Sequence, residues 1–221
     1  MGSRNSERTF DSFPVLGNRL GVTRGIFVEG DGLHMMEALN CLWSDRRGAP
    51  MLRRFLHGRL NVEEKKLGAS MDYLRHVVDV SPTAMLRFAS IMPFANSRKV
   101  LPKEAWFVAQ LVALQHEDCG PCLQIGVNIA RKSRVDAGLI RATIDGDLDA
   151  MSPEMVDVYR FTEAIVNASG EDDALRETLR QRYGERGLIE LAYAIAGCRI
   201  PPTVKRVLGY AKSCSLVTVD V

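Results

Sequence analysis

The sequence lacks the features that mark membrane-spanning, secreted and nucleic-acid-binding proteins. It contains no run of about 18 apolar residues, so a membrane span is not expected. Its first residues are polar and carry no apolar segment of a secretory signal. The 29 Lys and Arg residues nearly cancel the 27 Asp and Glu residues, and the net charge of +2 favours neither nucleic acid nor a membrane surface as a partner. Phosphate-binding Gly-rich loops and the serine-hydrolase pattern G-x-S-x-G are also absent, so no cofactor is expected.

Cysteine is scarce and odd in number. The chain has five cysteines: Cys41, Cys119, Cys122, Cys198 and Cys214. An odd count without a secretory signal argues against a framework of structural disulfides and predicts a cytoplasmic protein. Cys41 and Cys198 fall in apolar helical patterns, which is typical of core cysteines.

Apolar residues recur at helical spacing through most of the chain, which predicts an all-α protein. Residues 1–32 are rich in Gly, Ser, Arg and Asn and are interpreted as an arm or loop. A single helical domain is expected over 33–214, followed by an extended tail at 215–221.

Several boundaries of these helices can be predicted. Ser81-Pro82 and Ser152-Pro153 each combine a capping residue with proline at the first helical position. Residues 105–115 contain no charge, so this helix should be buried on nearly every face. Gly184 is expected to stop a helix, and Pro201-Pro202 to separate a last helix from the one before it.

The chemistry is concentrated in the run His116-Glu-Asp-Cys119-Gly-Pro-Cys122. A C-x-x-C pair can cycle between dithiol and disulfide, and it reacts through the thiolate. Pro121 favours the first turn of a helix, so Cys122 should lie at or near a helix start with Cys119 just before it. The positive end of the helix dipole would then favour a thiolate at either cysteine.

Two other uses of this pair fit less well. Thioredoxins carry Cys-Gly-Pro-Cys after a β-strand, whereas the segment upstream of Cys119 is helical here. A structural zinc site needs four ligands, and His116, Cys119 and Cys122 supply only three. No metal is therefore expected.

From about Met71 to Cys214 the chain resembles the alkylhydroperoxidase-D-like, carboxymuconolactone decarboxylase superfamily. The resemblance is carried by Met71–His76, Leu101–Glu104, the cysteine pair, Arg182–Gly184 and Leu188–Leu191. It implies an alkylhydroperoxidase-D-like helical bundle that forms a homo-oligomer, a trimer, hexamer or dimer. It also implies reduction of a peroxide or small disulfide substrate by Cys122 as the peroxidatic thiol and Cys119 as the resolving one, with a dithiol electron donor.

The chain departs from the family pattern at its proton relay. That pattern has Glu and His where this chain has Phe107 and Gly126. Glu104 and His116 are the candidate substitutes, since Glu104 is on the same predicted helix and His116 precedes Cys119 by one helical turn. Each also has a plainer interpretation, Glu104 as a complement to the helix dipole and His116 as a helix-end residue.

Two alternative functions are open. The first is a degenerate member of the same fold whose cysteine pair senses oxidant or is structural, which the loss of both relay positions favours. A lactone decarboxylase is the other activity of the superfamily, but that branch does not use a C-x-x-C pair.

Overall fold

The computed structural model describes residues 49–170 and 172–211, and they form an all-α structure, as predicted. The described ranges contain eight α-helices, a 3₁₀ turn at Leu148–Ala150 and no strand. The helices are α1 (Ala49–Leu67), α2 (Asp72–Val80), α3 (Pro82–Ala95), α4 (Lys103–His116), α5 (Gly120–Lys132), α6 (Ala137–Asp145), α7 (Pro153–Asn167) and α8 (Asp173–Val207). The predicted arm (1–32) and tail (215–221), together with Cys41 and Cys214, lie outside the described residues.

Local sequence determines where α3 and α7 begin. The Ser81 hydroxyl accepts a hydrogen bond from the N–H of Ala84, and the Ser152 hydroxyl accepts one from Met155. Each serine satisfies one of the N–H groups that the first turn leaves unpaired, and the proline that follows has no N–H to satisfy. Both predicted helix starts are confirmed.

Helix α4 is the centre of the main hydrophobic core. Every residue from Ala105 to Leu114 except Gln110 is buried. The helix packs against α5, α6, α7 and α8, which explains how it is covered on nearly every side. The expectation from its uncharged sequence is confirmed.

Helices α1, α2 and α3 share a second, smaller hydrophobic cluster. Its buried members are Leu56, Leu60, Met71, Tyr73, Leu74, Val78 and Met85. Ile125 of α5 and Val204 of α8 pack against this cluster and join it to the rest of the structure.

Helix α8 differs from the prediction in one respect. Gly184 leaves the helical conformation with φ 70° and ψ 176°, so the predicted break at this residue is confirmed. The predicted break at Pro201-Pro202 is wrong, because α8 continues through both prolines to Val207. The φ of proline suits a helix, and the buried ring of Pro202 gains packing that offsets the lost backbone hydrogen bonds.

A buried carboxylate joins α8 to the start of α4. Glu190 accepts hydrogen bonds from the N–H groups of Val100 and Leu101, both at 2.9 Å. Burial alone would raise the pKa of Glu190, but these N–H donors and Arg186 together hold it below its usual value. This contact fixes the end of α4 opposite to the cysteines.

No helix in the described ranges is both long and apolar enough to span a bilayer.

Candidate redox site

The cysteine pair lies at the junction between α4 and α5. Helix α4 ends at His116, and Cys119 is the residue that precedes the first turn of α5. The N–H of Cys122 donates to the carbonyl oxygen of Cys119 at 2.9 Å, which places Cys122 in the first turn, as predicted. The two cysteines form a disulfide, with their Cα atoms 5.3 Å apart. That separation is within the usual range for a disulfide.

Both cysteines are shielded from solvent. The exposed fraction is 5% for Cys119 and 9% for Cys122. When the pair is reduced, the unpaired N–H groups and the dipole at the start of α5 favour the thiolate form. Burial of the two thiols acts in the opposite direction, because it disfavours the charged form.

The residue before Cys119 has an unusual backbone conformation. Asp118 has φ 49°, in the left-handed region that residues other than glycine seldom adopt. Asp tolerates this region better than most side chains because its short polar group can bond locally. The conformation turns the chain sharply from α4 into α5 and so presents Cys119 to Cys122.

Sequence reasoning missed the role of Glu117. Its side chain is only 6% exposed, and its Oε1 lies 2.5 Å from Nε of Arg199. Its Oε2 lies 3.5 Å from Nη1 of Arg206, whose Nη2 also donates to the backbone carbonyl of Glu117. Arg199 and Arg206 are seven positions apart on α8, which places them on one face of that helix. The available signal was an acidic residue shortly after the uncharged run of α4. The sequence does not show that α8 packs against this residue, because that contact joins distant parts of the chain.

His116 and Glu104 occupy different ends of α4. His116 is exposed in the last turn, one turn before Cys119. Glu104 lies in the first turn, 3.7 Å from Nζ of Lys103. At 1.5 Å per residue, the twelve positions between Glu104 and His116 span about 18 Å. The structure therefore places His116 near the cysteine pair and Glu104 far from it.

Glu104 instead lines an open cavity of about 500 Å³ at the far end of α4. Asp136 and Glu154 are the other acidic residues of this cavity.

Packing residues occupy the two positions, 107 and 126, where the family that the sequence resembles has its Glu and His. Phe107 is buried and lies edge-to-face on Trp106, with ring centroids 4.8 Å apart. A Cβ added at Gly126 would approach Leu114 Cδ1 to 2.8 Å and Leu111 Cδ2 to 3.2 Å. The close approach of α4 and α5 thus leaves no room for a His side chain at this position unless the leucines move.

Cys198 is a third thiol near this region. Its Sγ lies 3.3 Å from the carbonyl oxygen of Ile195 and 3.7 Å from that of Gln110. Burial raises the pKa of Cys198 to about 12, and Glu117 adds to this while Arg199 opposes it. The thiol is therefore protonated and unreactive at neutral pH.

Arg199 connects the site to a mainly apolar groove between α7 and α8. The groove has a volume of about 370 Å³ and is lined by Phe161, Ile165, Arg176, Leu188, Ala192, Ile195, Ala196 and Arg199. A volume of this size accommodates a small organic molecule.

The side chains of residues 49–170 and 172–211 form no group of three or more His, Cys, Asp or Glu residues able to hold a metal ion. Comparison of the chain with protein-family models, curated proteins and solved structures finds no match.

Proposed function

We propose that this chain is an alkylhydroperoxidase-D-like thiol oxidoreductase that reduces a peroxide or a small disulfide through Cys119 and Cys122. The observation that carries the proposal is the C-x-x-C pair at disulfide distance across the first turn of α5. The resemblance that begins near Met71 supports the same conclusion. Because the comparisons find no matching protein, the proposal depends on the resemblance, on the geometry of the pair and on the chemistry of thiols.

The peroxide reaction can be written with these two residues. The Cys122 thiolate attacks one oxygen of a hydroperoxide, the O–O bond breaks, and the alcohol leaves with a proton. Cys122 is then a sulfenic acid, which the Cys119 thiol attacks to form the disulfide and release water. Overall, one hydroperoxide and two thiols give one alcohol, one water and one disulfide. A dithiol donor then restores both thiols and becomes a disulfide itself.

The apolar groove favours an organic substrate. Arg199 lines the groove and also binds Glu117, two residues before Cys119. Arg199 thus links the groove to the turn that precedes Cys119, and an apolar substituent of a substrate could pack in the groove. We expect an organic hydroperoxide to react faster than hydrogen peroxide.

A second candidate is a redox sensor that does not turn over. The burial of both cysteines and the packing residues at positions 107 and 126 favour it. In such a protein the pair would oxidise slowly, and no dithiol donor would sustain peroxide consumption.

We also propose that the chain forms a homo-oligomer in the cytoplasm. Helices α3 and α8 expose Ile91, Ile189 and Tyr193, and apolar side chains of this size favour contact with another subunit. Light scattering coupled to size-exclusion chromatography would give the number of subunits.

Titration of the reduced protein with cumene hydroperoxide, followed by peptide mass spectrometry, tests the proposed reaction. Fast formation of the Cys119–Cys122 disulfide, with sulfenic acid trapped on Cys122 in Cys119→Ser, supports it. Cys198→Ser is the matched control and should behave like the parent. If the pair stays reduced at millimolar peroxide, the peroxidase proposal fails and the sensor with another oxidant, or a structural pair, replaces it.

A further inference from the structure

The connection between α4 and α5 contains an acidic residue that turns away from solvent. Only Glu117, Asp118 and Cys119 separate the two helices. A buried carboxylate loses its favourable hydration, and this loss destabilises the folded state unless charged or hydrogen-bonding partners compensate it. At Glu117 the compensation comes from two arginines of α8.

These arginines hold both the side chain and the backbone of Glu117. Arg199 binds Oε1 of Glu117 and Arg206 lies beside Oε2. Arg206 also donates a hydrogen bond to the backbone carbonyl oxygen of Glu117. The residue two positions before Cys119 is therefore tied to Arg199, 82 positions further along the chain. These contacts fix the turn, because neither the peptide nor the carboxylate of Glu117 can rotate without losing a charged partner.

We infer that Glu117 is a positioning residue of the redox site, which holds Cys119 at disulfide distance from Cys122 by tying the α4–α5 turn to Arg199 and Arg206. The inference deepens the proposed function and rests on it. Supporting contacts of this kind lower the entropy lost when the disulfide closes and so stabilise the disulfide over the dithiol.

The same geometry argues against Glu117 as the proton acceptor. Both carboxylate oxygens face guanidinium groups of α8, so they are occupied by these contacts and are not directed at the cysteine pair. His116 and Asp118 on the turn and Cys198 on α8 are the other titratable groups nearby.

The equilibrium of the pair with glutathione measures the positioning effect directly. Oxidised glutathione and the protein dithiol give the protein disulfide and two reduced glutathione molecules, so bonds, electrons and protons balance. We expect Glu117→Ala to lower this equilibrium constant about tenfold, which corresponds to about 30 mV for a two-electron couple. Glu117→Gln keeps an acceptor for Arg199 and should stay within about threefold of the parent.

The rate of peroxide oxidation separates positioning from proton transfer. If Glu117 took the thiol proton, Glu117→Gln would slow the reaction by about a hundredfold or more. Positioning predicts little loss of rate in Glu117→Gln.

Two further variants complete the experiment. Arg206→Met removes one of the two arginines that bind Glu117, at an exposed position, and should also lower the equilibrium constant. This variant keeps the inference testable if circular dichroism shows that Glu117→Ala does not fold. Asp157→Ala breaks the 2.9 Å pair between Asp157 and Arg182 near the far end of α4, and it should leave the constant unchanged.

The outcomes distinguish this inference from the proposed function. An unchanged constant in the Glu117 and Arg206 variants overturns the inference, whether or not the parent turns over peroxide. If these variants lower the constant and the parent does not consume peroxide, the positioning role is upheld and the peroxidase is refuted. A parent pair that never oxidises in glutathione overturns both.

Discussion

Nζ of Lys103 lies 2.7 Å from the backbone carbonyl oxygen of Arg134. This contact joins the first residue of α4 to the chain just after α5, so the two helices run antiparallel. The cysteine pair lies at one end of this helical hairpin and Glu104 at the other. Any proton exchanged between Glu104 and the cysteines would have to cross the length of α4.

Glu104→Gln should therefore leave the reaction of the reduced pair with peroxide within about twofold of the parent, because general acid–base catalysis requires hydrogen-bond reach. Stopped-flow measurement of disulfide formation checks this. A hundredfold loss would show that Glu104 does reach the site. His116→Gln, measured alongside, tests the candidate that lies nearer to Cys119, and a loss confined to that variant would assign proton handling to His116.

Much of the fold could be predicted because local signals determine helix ends and helix burial. Ser81 and Ser152 cap the helices that they were expected to cap, since side-chain capping needs only residues three positions away. The buried α4 could be recognised because it carries no charge between Ala105 and Gln115. The place of Cys122 in the first turn of α5 follows from Pro121 in the same way.

The parts that could not be predicted depend on contacts between distant residues. Glu117 reads as a solvated residue at a helix end until α8 supplies Arg199 and Arg206. The antiparallel arrangement of α4 and α5, which separates Glu104 from the cysteines, is likewise a tertiary property. Pro202 does not break α8 because its ring is buried, and burial of a single ring cannot be predicted from local sequence.

The second prediction concerns the carboxylate that fastens the start of α4. Glu190→Gln should lower the free energy of unfolding by about 2 kcal/mol at pH 7, because two hydrogen bonds lose a charged acceptor. The pKa of Glu190 is below its usual 4.5, so its contribution is complete above that pH and is lost as the pH falls further. Urea denaturation at pH 7 and pH 3 checks both points, and the difference between parent and variant should shrink at pH 3. An equal difference at both values would contradict a role for the charge.

The third prediction concerns the thiol of Cys198, which is partly buried against the main core. Burial raises its pKa from 9.0 to about 12, so iodoacetamide at pH 8 should modify it only after unfolding in urea. Because the folded pKa is the higher one, the contribution of this thiol to stability is complete below pH 9 and is lost as the pH rises toward 12. In that window the parent should lose up to about 1.4 kcal/mol per pH unit more than Cys198→Ala. Rapid labelling of Cys198 in the folded protein would refute the assignment.

The last prediction uses two glycines in helices with opposite surroundings. A Cβ at Gly197 would lie 2.1 Å from Ala95 Cβ and 2.8 Å from Ala95 Cα, whereas one at Gly58 would meet nothing within 4 Å. Gly197→Ala should therefore force α8 away from α3 and cost about 1 to 3 kcal/mol of unfolding free energy. Gly58→Ala should add about 0.4 to 1 kcal/mol, because alanine restricts the unfolded chain without a clash. Urea denaturation of both variants measures these changes.

Since Gly197 precedes Arg199 by two residues, the same displacement should weaken the contact with Glu117 and lower the glutathione equilibrium constant in Gly197→Ala alone. A stable Gly197→Ala protein with an unchanged constant would show that α3 and α8 are not in close contact at this position.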